Sequence, residues 1–282
     1  MFKKKLFWGI LVALVAIGVV FYLVGAKMSP TLSEQNGQRP KEATVFFHGY
    51  GSSRNAEKSM SQYLVDHDYS NRRINVTVAK DGTVTMDKTI APGDKNPIIL
   101  VQFDNNKNQD FNQTAKWVTI IMTKLSQQGI RSVNLIGHSM GNMAIAFYLM
   151  NAADNGHDLP KVVRQISIAG TYNGLILANP QSNSPLSAEG EPQTKTEIFN
   201  RLAGLTAYYQ NHSTKVLNIY GNSTGGSASD TTVYNNSSKA LKYFVRQPST
   251  YQETLIEGAG GQHSKLHENQ TVNQDILKFL QN

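Results

Sequence analysis

At 282 residues with 40% apolar side chains, the chain is long enough for one large domain with a full core, and its lack of cysteine excludes disulfides, thiolate metal sites and cysteine nucleophiles. Lys3, Lys4 and Lys5 supply three units of the formal charge of +7, and no basic stripe interleaved with aromatics follows, so nucleic acid is not an expected partner. No H-E-x-x-H or comparable cluster occurs, and no metal or cofactor is expected.

Taken in order, the chain opens on Met1-Phe2-Lys3-Lys4-Lys5, and residues 6–26 follow without a charge or a proline. As a helix they would span ~30 Å, the thickness of a bilayer core. The lysines predict a cytoplasmic N-terminus and an extracytoplasmic remainder. Val24-Gly25-Ala26 also fits a cleavage site, which would make the protein secreted, but the apolar run is longer than a usual signal core. A retained single-pass anchor in the lipid bilayer is therefore the expectation. Residues 27–42, polar and aperiodic, read as a linker. The domain proper is expected over residues 43–282.

Residues 43–47 form a β-type run ending in His48-Gly49-Tyr50-Gly51. Glycines there let a backbone N–H point at a carbonyl oxygen, and the Tyr50 amide is one expected oxyanion donor. His48 reads as a core histidine, because such a loop works through backbone donors. Residues 57–67 suit a helix. Residues 74–79 and 83–86 flank Asp81-Gly82, a hairpin signal. Residues 97–103 suit a buried strand, and 111–127 a helix ended by Gly129.

Residues 133–136 are apolar and run into Gly137-His138-Ser139-Met140-Gly141, and an amphipathic helix is expected to about Met150. G-x-S-x-G alone arises by chance in roughly one chain of this length in ten. Its placement between a strand and a helix carries the weight, because that is the context of a nucleophile elbow. Glycine at 137 and 141 removes side chains that would collide in so tight a turn. Ser139 is the expected nucleophile, and the amide of Met140 the second oxyanion donor.

Strands are expected at 164–169, 215–220 and 251–257, and helices at 196–209, 237–245 and 272–280. Residues 170–214 interrupt the alternation with Pro180, Pro185 and Pro192, and mark a possible lid. Alternating strands and helices imply a mainly parallel sheet with helices on both faces. Chemistry collects at the carboxyl ends of its strands. A serine hydroxyl needs a histidine base held in the right tautomer by a carboxylate. After Ser139 come His157, His212, His263 and His267; the first two precede strands, at the wrong ends. His263 is preferred as the base, since Gly258, Gly260 and Gly261 let its loop bend towards the serine. His267, nearer the closing helix, is expected to brace that loop by a hydrogen bond. Asp230, the only aspartate between Asp158 and Asp275, is the expected acid.

His48-Gly49-Tyr50-Gly51, Gly137-His138-Ser139-Met140-Gly141, Ser229-Asp230 and the segment Gln262-His263-Ser264-Lys265-Leu266-His267-Glu268-Asn269 together resemble the α/β-hydrolases of Gram-positive cell surfaces, a family of unknown function. The chain is similar, more distantly, to bacterial lipases and esterases. The resemblance implies an α/β-hydrolase fold and a Ser-Asp-His triad, and names no substrate. Asn222 departs from it, standing where many such enzymes place the acid. The expected protein is a membrane-anchored, outward-facing serine hydrolase of carboxylic esters. A peptidase or thioesterase would use the same residues, and a non-catalytic surface-binding module would keep the fold.

Overall fold

A computed structural model describes residues 38–151, 158–224 and 228–282. The expected membrane anchor and most of the expected linker lie outside the described residues. Among those described, no helix is long and apolar enough to cross a membrane.

The unit spanning Arg39–Asn282 is built on an eight-stranded sheet in the order β3-β2-β4-β1-β5-β6-β7-β8. The strands are β1 (Glu42–Phe47), β2 (Arg73–Val78), β3 (Val84–Met86), β4 (Ile98–Phe103), β5 (Ser132–His138), β6 (Lys161–Ile168), β7 (Lys215–Asn222) and β8 (Thr250–Glu257). Only β2 and β3 pair antiparallel, across the Asp81-Gly82 turn, where the Gly82 amide donates to the Ala79 carbonyl at 2.9 Å. Every other pairing is parallel.

Side-chain alternation along the strands divides the core in two. In β1, Ala43, Val45 and Phe47 face one cluster and Phe46 the other. On the first face lie α2 (Phe111–Gln127), α3 (Gly141–Asn151), α4 (Glu197–Arg201), α5 (Gly204–Asn211), α6 (Asn235–Lys239) and α7 (Leu241–Phe244). The second face is covered by α1 (Lys58–Asp66) and α8 (Gln270–Gln281).

Three expectations are corrected, the first being the helix expected over 237–245, which is two short helices, α6 and α7, parted at Ala240. α3 is not amphipathic: Gly141 through Leu149 are all buried, because the sheet covers one side and α2 and α5 cover the other. The helix expected over 196–209 is two helices. The chain breaks at Leu202 and Ala203, ahead of Gly204, a residue that favours a break, and Leu202 and Leu205 are both buried as a result.

Candidate active site

β1, β5, β7 and β8 all deliver their carboxyl ends to one edge of the sheet, and every expected site residue lies on a loop that leaves this edge. Ser139 follows β5 with φ of +53°, a backbone conformation that a non-glycine residue adopts only where its surroundings impose it. Those surroundings are visible. Its amide donates to the Ile168 carbonyl at 2.9 Å, and its carbonyl accepts from the Asn142 amide and from Asn142 Nδ2, both at 3.0 Å. Asn142 Nδ2 also donates to the Ile168 carbonyl at 2.9 Å, so one buried amide ties the elbow to the next strand. Gly141 has no alternative, because a Cβ there would lie 2.1 Å from the Phe47 carbonyl oxygen. Asn142 was not singled out from the sequence; its position immediately after the second glycine was the available signal.

His263 and Asp230 meet. Nδ1 of His263 lies 2.7 Å from Asp230 Oδ2. A carboxylate only accepts, so Nδ1 carries the hydrogen, and in a neutral ring that leaves Nε2 as the acceptor. The other oxygen, Oδ1, accepts from the amides of Thr232 at 2.8 Å and Val233 at 2.7 Å. The His263 amide donates to the Asp230 carbonyl at 2.8 Å, which makes the attachment double. Asp230 is 1% exposed. Asn222, at the end of β7, takes no part, and its Oδ1 is buried without a hydrogen-bond partner.

The loop after β1 lies against the elbow: a Cβ on Gly49 would sit 3.1 Å from Ser139 Cβ. Among the described residues, neither the Tyr50 nor the Met140 amide has a protein acceptor. His48 is buried with both ring nitrogens engaged. Nδ1 donates to the Gly49 carbonyl at 2.8 Å and Nε2 accepts from the Phe103 amide at 3.1 Å. Burial holds its pKa below the ordinary value.

His138, the residue before the nucleophile, went unnoticed in the sequence. It is buried, and its Nε2 donates to the His263 carbonyl at 3.1 Å, with the two ring centroids 4.8 Å apart. Burial first, then the neighbouring His263 and His267, keep its pKa well below the usual range. His267 stands edge-on to His138, centroids 5.0 Å apart. Its Nδ1 is buried without a partner, so the expected hydrogen bond is not made there and ring packing replaces it. His212 Nδ1 donates to the Tyr208 carbonyl at 2.8 Å, in the segment ahead of β7, and His157 lies outside the described residues.

Ser139, Met140, Tyr50 and His263 line one cavity of about 650 Å³, within the range of small-molecule sites. Its far wall comes from residues 170–214, through Thr171, Leu175, Asn179, Ile198 and others. Among the described residues, no group of three or more potential ligands gathers to hold a metal ion.

A mainly parallel sheet with helices on both faces and a glycine-flanked serine elbow after its central strand define an α/β-hydrolase. The chain belongs to the family described as alpha/beta hydrolase of unknown function (DUF915), which matches it over residues 31–282. Solved structures similar in fold include the following two. A gene product of Listeria innocua is 22% identical, with a TM-score of 0.76 over 86% of this chain and 95% of that one. An inferred cell surface hydrolase from Lactobacillus plantarum is 23% identical, with a TM-score of 0.63 over 86% of this chain and 91% of that one. None of the curated proteins matches the chain.

Proposed function

We propose that this protein is a serine hydrolase of carboxylic esters, held on the outer face of the cell membrane by residues 6–26. The observation that carries the reading is the convergence on one cavity of a serine in a constrained elbow and a histidine whose Nδ1 is bound, at 2.7 Å, to a buried aspartate. In this mechanism His263 Nε2 takes the proton as Ser139 Oγ attacks the ester carbonyl. The Tyr50 and Met140 amides hold the oxyanion, and His263 then protonates the leaving alkoxide. Water, activated by the same nitrogen, releases the acid and restores Ser139. Asp230 keeps the imidazole in the required tautomer. Residues 170–214, which wall the cavity, act as the lid that closes over the substrate.

A panel of p-nitrophenyl esters of rising chain length, given to the parent and to Ser139→Ala, tests this reading. Turnover of at least one ester by the parent, lost by roughly 10⁴-fold or more in the variant, is expected. Equal rates in the two proteins would refute it.

A further inference from the structure

The cavity beside Ser139 carries one cation with no counter-ion. Arg201, the last residue of α4, lines it, with the guanidinium 4.9 Å from the Phe147 ring centroid and 5.8 Å from that of Phe111. Among the described residues no carboxylate lies within 4 Å of that guanidinium, and no protein acceptor takes its N–H donors. This is not for want of a nearby acid. Glu197, one turn earlier, lines the same cavity at the spacing where a helix ion pair usually forms. Lys195, ahead of that helix, does pair with an acid, Glu191, at 2.5 Å. Arg201 instead lies against two aromatic rings, a contact that holds the guanidinium without using its N–H donors. A fork so placed matches a carboxylate or a phosphate through two parallel charge-assisted hydrogen bonds. Around it the wall is largely apolar, with Phe111, Met143, Leu175 and Ile198.

We infer that Arg201 is a specificity-determining residue that receives an anionic group of the substrate. The cavity thus takes an ester carrying an apolar chain and, remote from the scissile bond, a carboxylate or phosphate. Glu197 works against that anion and sets how strongly the cavity discriminates. The inference rests on the ester-hydrolase reading for its chemistry, but the anion site is a matter of binding and is measurable without turnover.

The experiment compares p-nitrophenyl monoesters of dicarboxylic acids, from glutaric to suberic, with neutral p-nitrophenyl esters of the same chain length. A second arm moves the anion to the alcohol side, with the hexanoyl ester of 4-hydroxyphenyl phosphate against that of 4-methoxyphenol. Arg201→Gln should raise KM for the anionic ester by roughly 10-fold in at least one arm. It should leave kcat and every neutral ester within about twofold. Arg201→Lys should recover part of the loss, and Glu197→Gln should lower KM for the anionic ester alone. Binding of N-(4-nitrophenyl)adipamic acid and its neutral hexanamide counterpart to the full-length Ser139→Ala protein supplies the measurement independent of turnover. Arg201-dependent binding of the acid alone, with no ester turned over by the parent, would support the anion site and sink the hydrolase reading. Equal effects of Arg201→Gln on anionic and neutral esters, or unchanged affinity for the acid, would overturn the inference.

Discussion

Ser139, His263 and Asp230 each make a different demand on the chemistry, and their substitutions should differ accordingly. Asp230→Asn keeps the size of the side chain but turns an oxygen that accepts from His263 Nδ1 into a group that can also donate, favouring the wrong tautomer. We expect kcat to fall by about 10⁴ with KM little changed. Asn222→Ala, at the position where the acid usually stands, should have far less effect, since Asn222 Oδ1 contacts no donor. Comparable small losses at both positions would move the search for the acid elsewhere. His263→Ala should be nearly inactive. His267→Ala should retain measurable activity with a lower melting temperature, because its ring packs on His138 rather than on the reacting atoms. The reverse pattern would exchange the two roles.

At the scale of elements, β7 and β8 present the acid and the base through glycines in contact. A Cβ on Gly221 would lie 1.8 Å from the Gly261 carbonyl oxygen, and one on Gly261 would lie 2.2 Å from that of Ile256. Gly221→Ala must therefore push the His263 loop outwards. We expect a loss of about 1–3 kcal/mol in stability, as for other overpacked sites, together with a fall in kcat on any ester turned over by the parent. Unchanged kcat in a well-folded variant would show that the loop position is not critical. Much of this layout was legible in the sequence. The strand runs, the Asp81-Gly82 hairpin and α2 depend on local periodicity and turn chemistry, which neighbouring residues carry. The elbow was legible because two glycines frame it. What escaped reading is what tertiary structure decides. The complete burial of α3 needs α2 and α5 laid over it. The partner of His138 lies 125 residues away, and the meeting of Arg201 with Phe147 joins two helices distant in the chain. The break at Leu202 and Ala203 follows from Gly204, but the periodicity on either side conceals it.

For the whole molecule, buried titratable groups set opposing pH limits on stability. His48, His138 and His267 have pKa values lowered below the ordinary 6.5, chiefly by burial. As pH falls below that value the unfolded chain takes up protons that the folded one refuses, and stability drops. Glu57, 1% exposed, is pushed by burial from 4.5 to about 8. Over that interval the folded chain keeps a proton that the unfolded chain gives up, so Glu57 lowers stability as pH rises. Below 6.5 the three histidines oppose Glu57 and Asp275, a second carboxyl that burial raises, and above it Glu57 tilts the curve downwards. The melting temperature should therefore peak near neutrality, and Glu57→Gln should flatten the decline between pH 7 and 9. An equal alkaline decline in that variant would show that another group is responsible. The proposed anchor makes its own prediction: the full chain should sediment with membranes, and a chain begun at Ser29 should stay in the supernatant. Mature protein found in the medium with Lys27 as its first residue would instead show cleavage.

The central claim is that Ser139 is a nucleophile activated by His263. The most direct measurement is reaction with a fluorophosphonate, followed by mass mapping of the modified residue. The account predicts one adduct per chain, on Ser139, absent from Ser139→Ala and formed at least about 10³-fold more slowly in His263→Ala. An unmodified parent protein, an adduct on another residue, or equal labelling of parent and His263→Ala would contradict it.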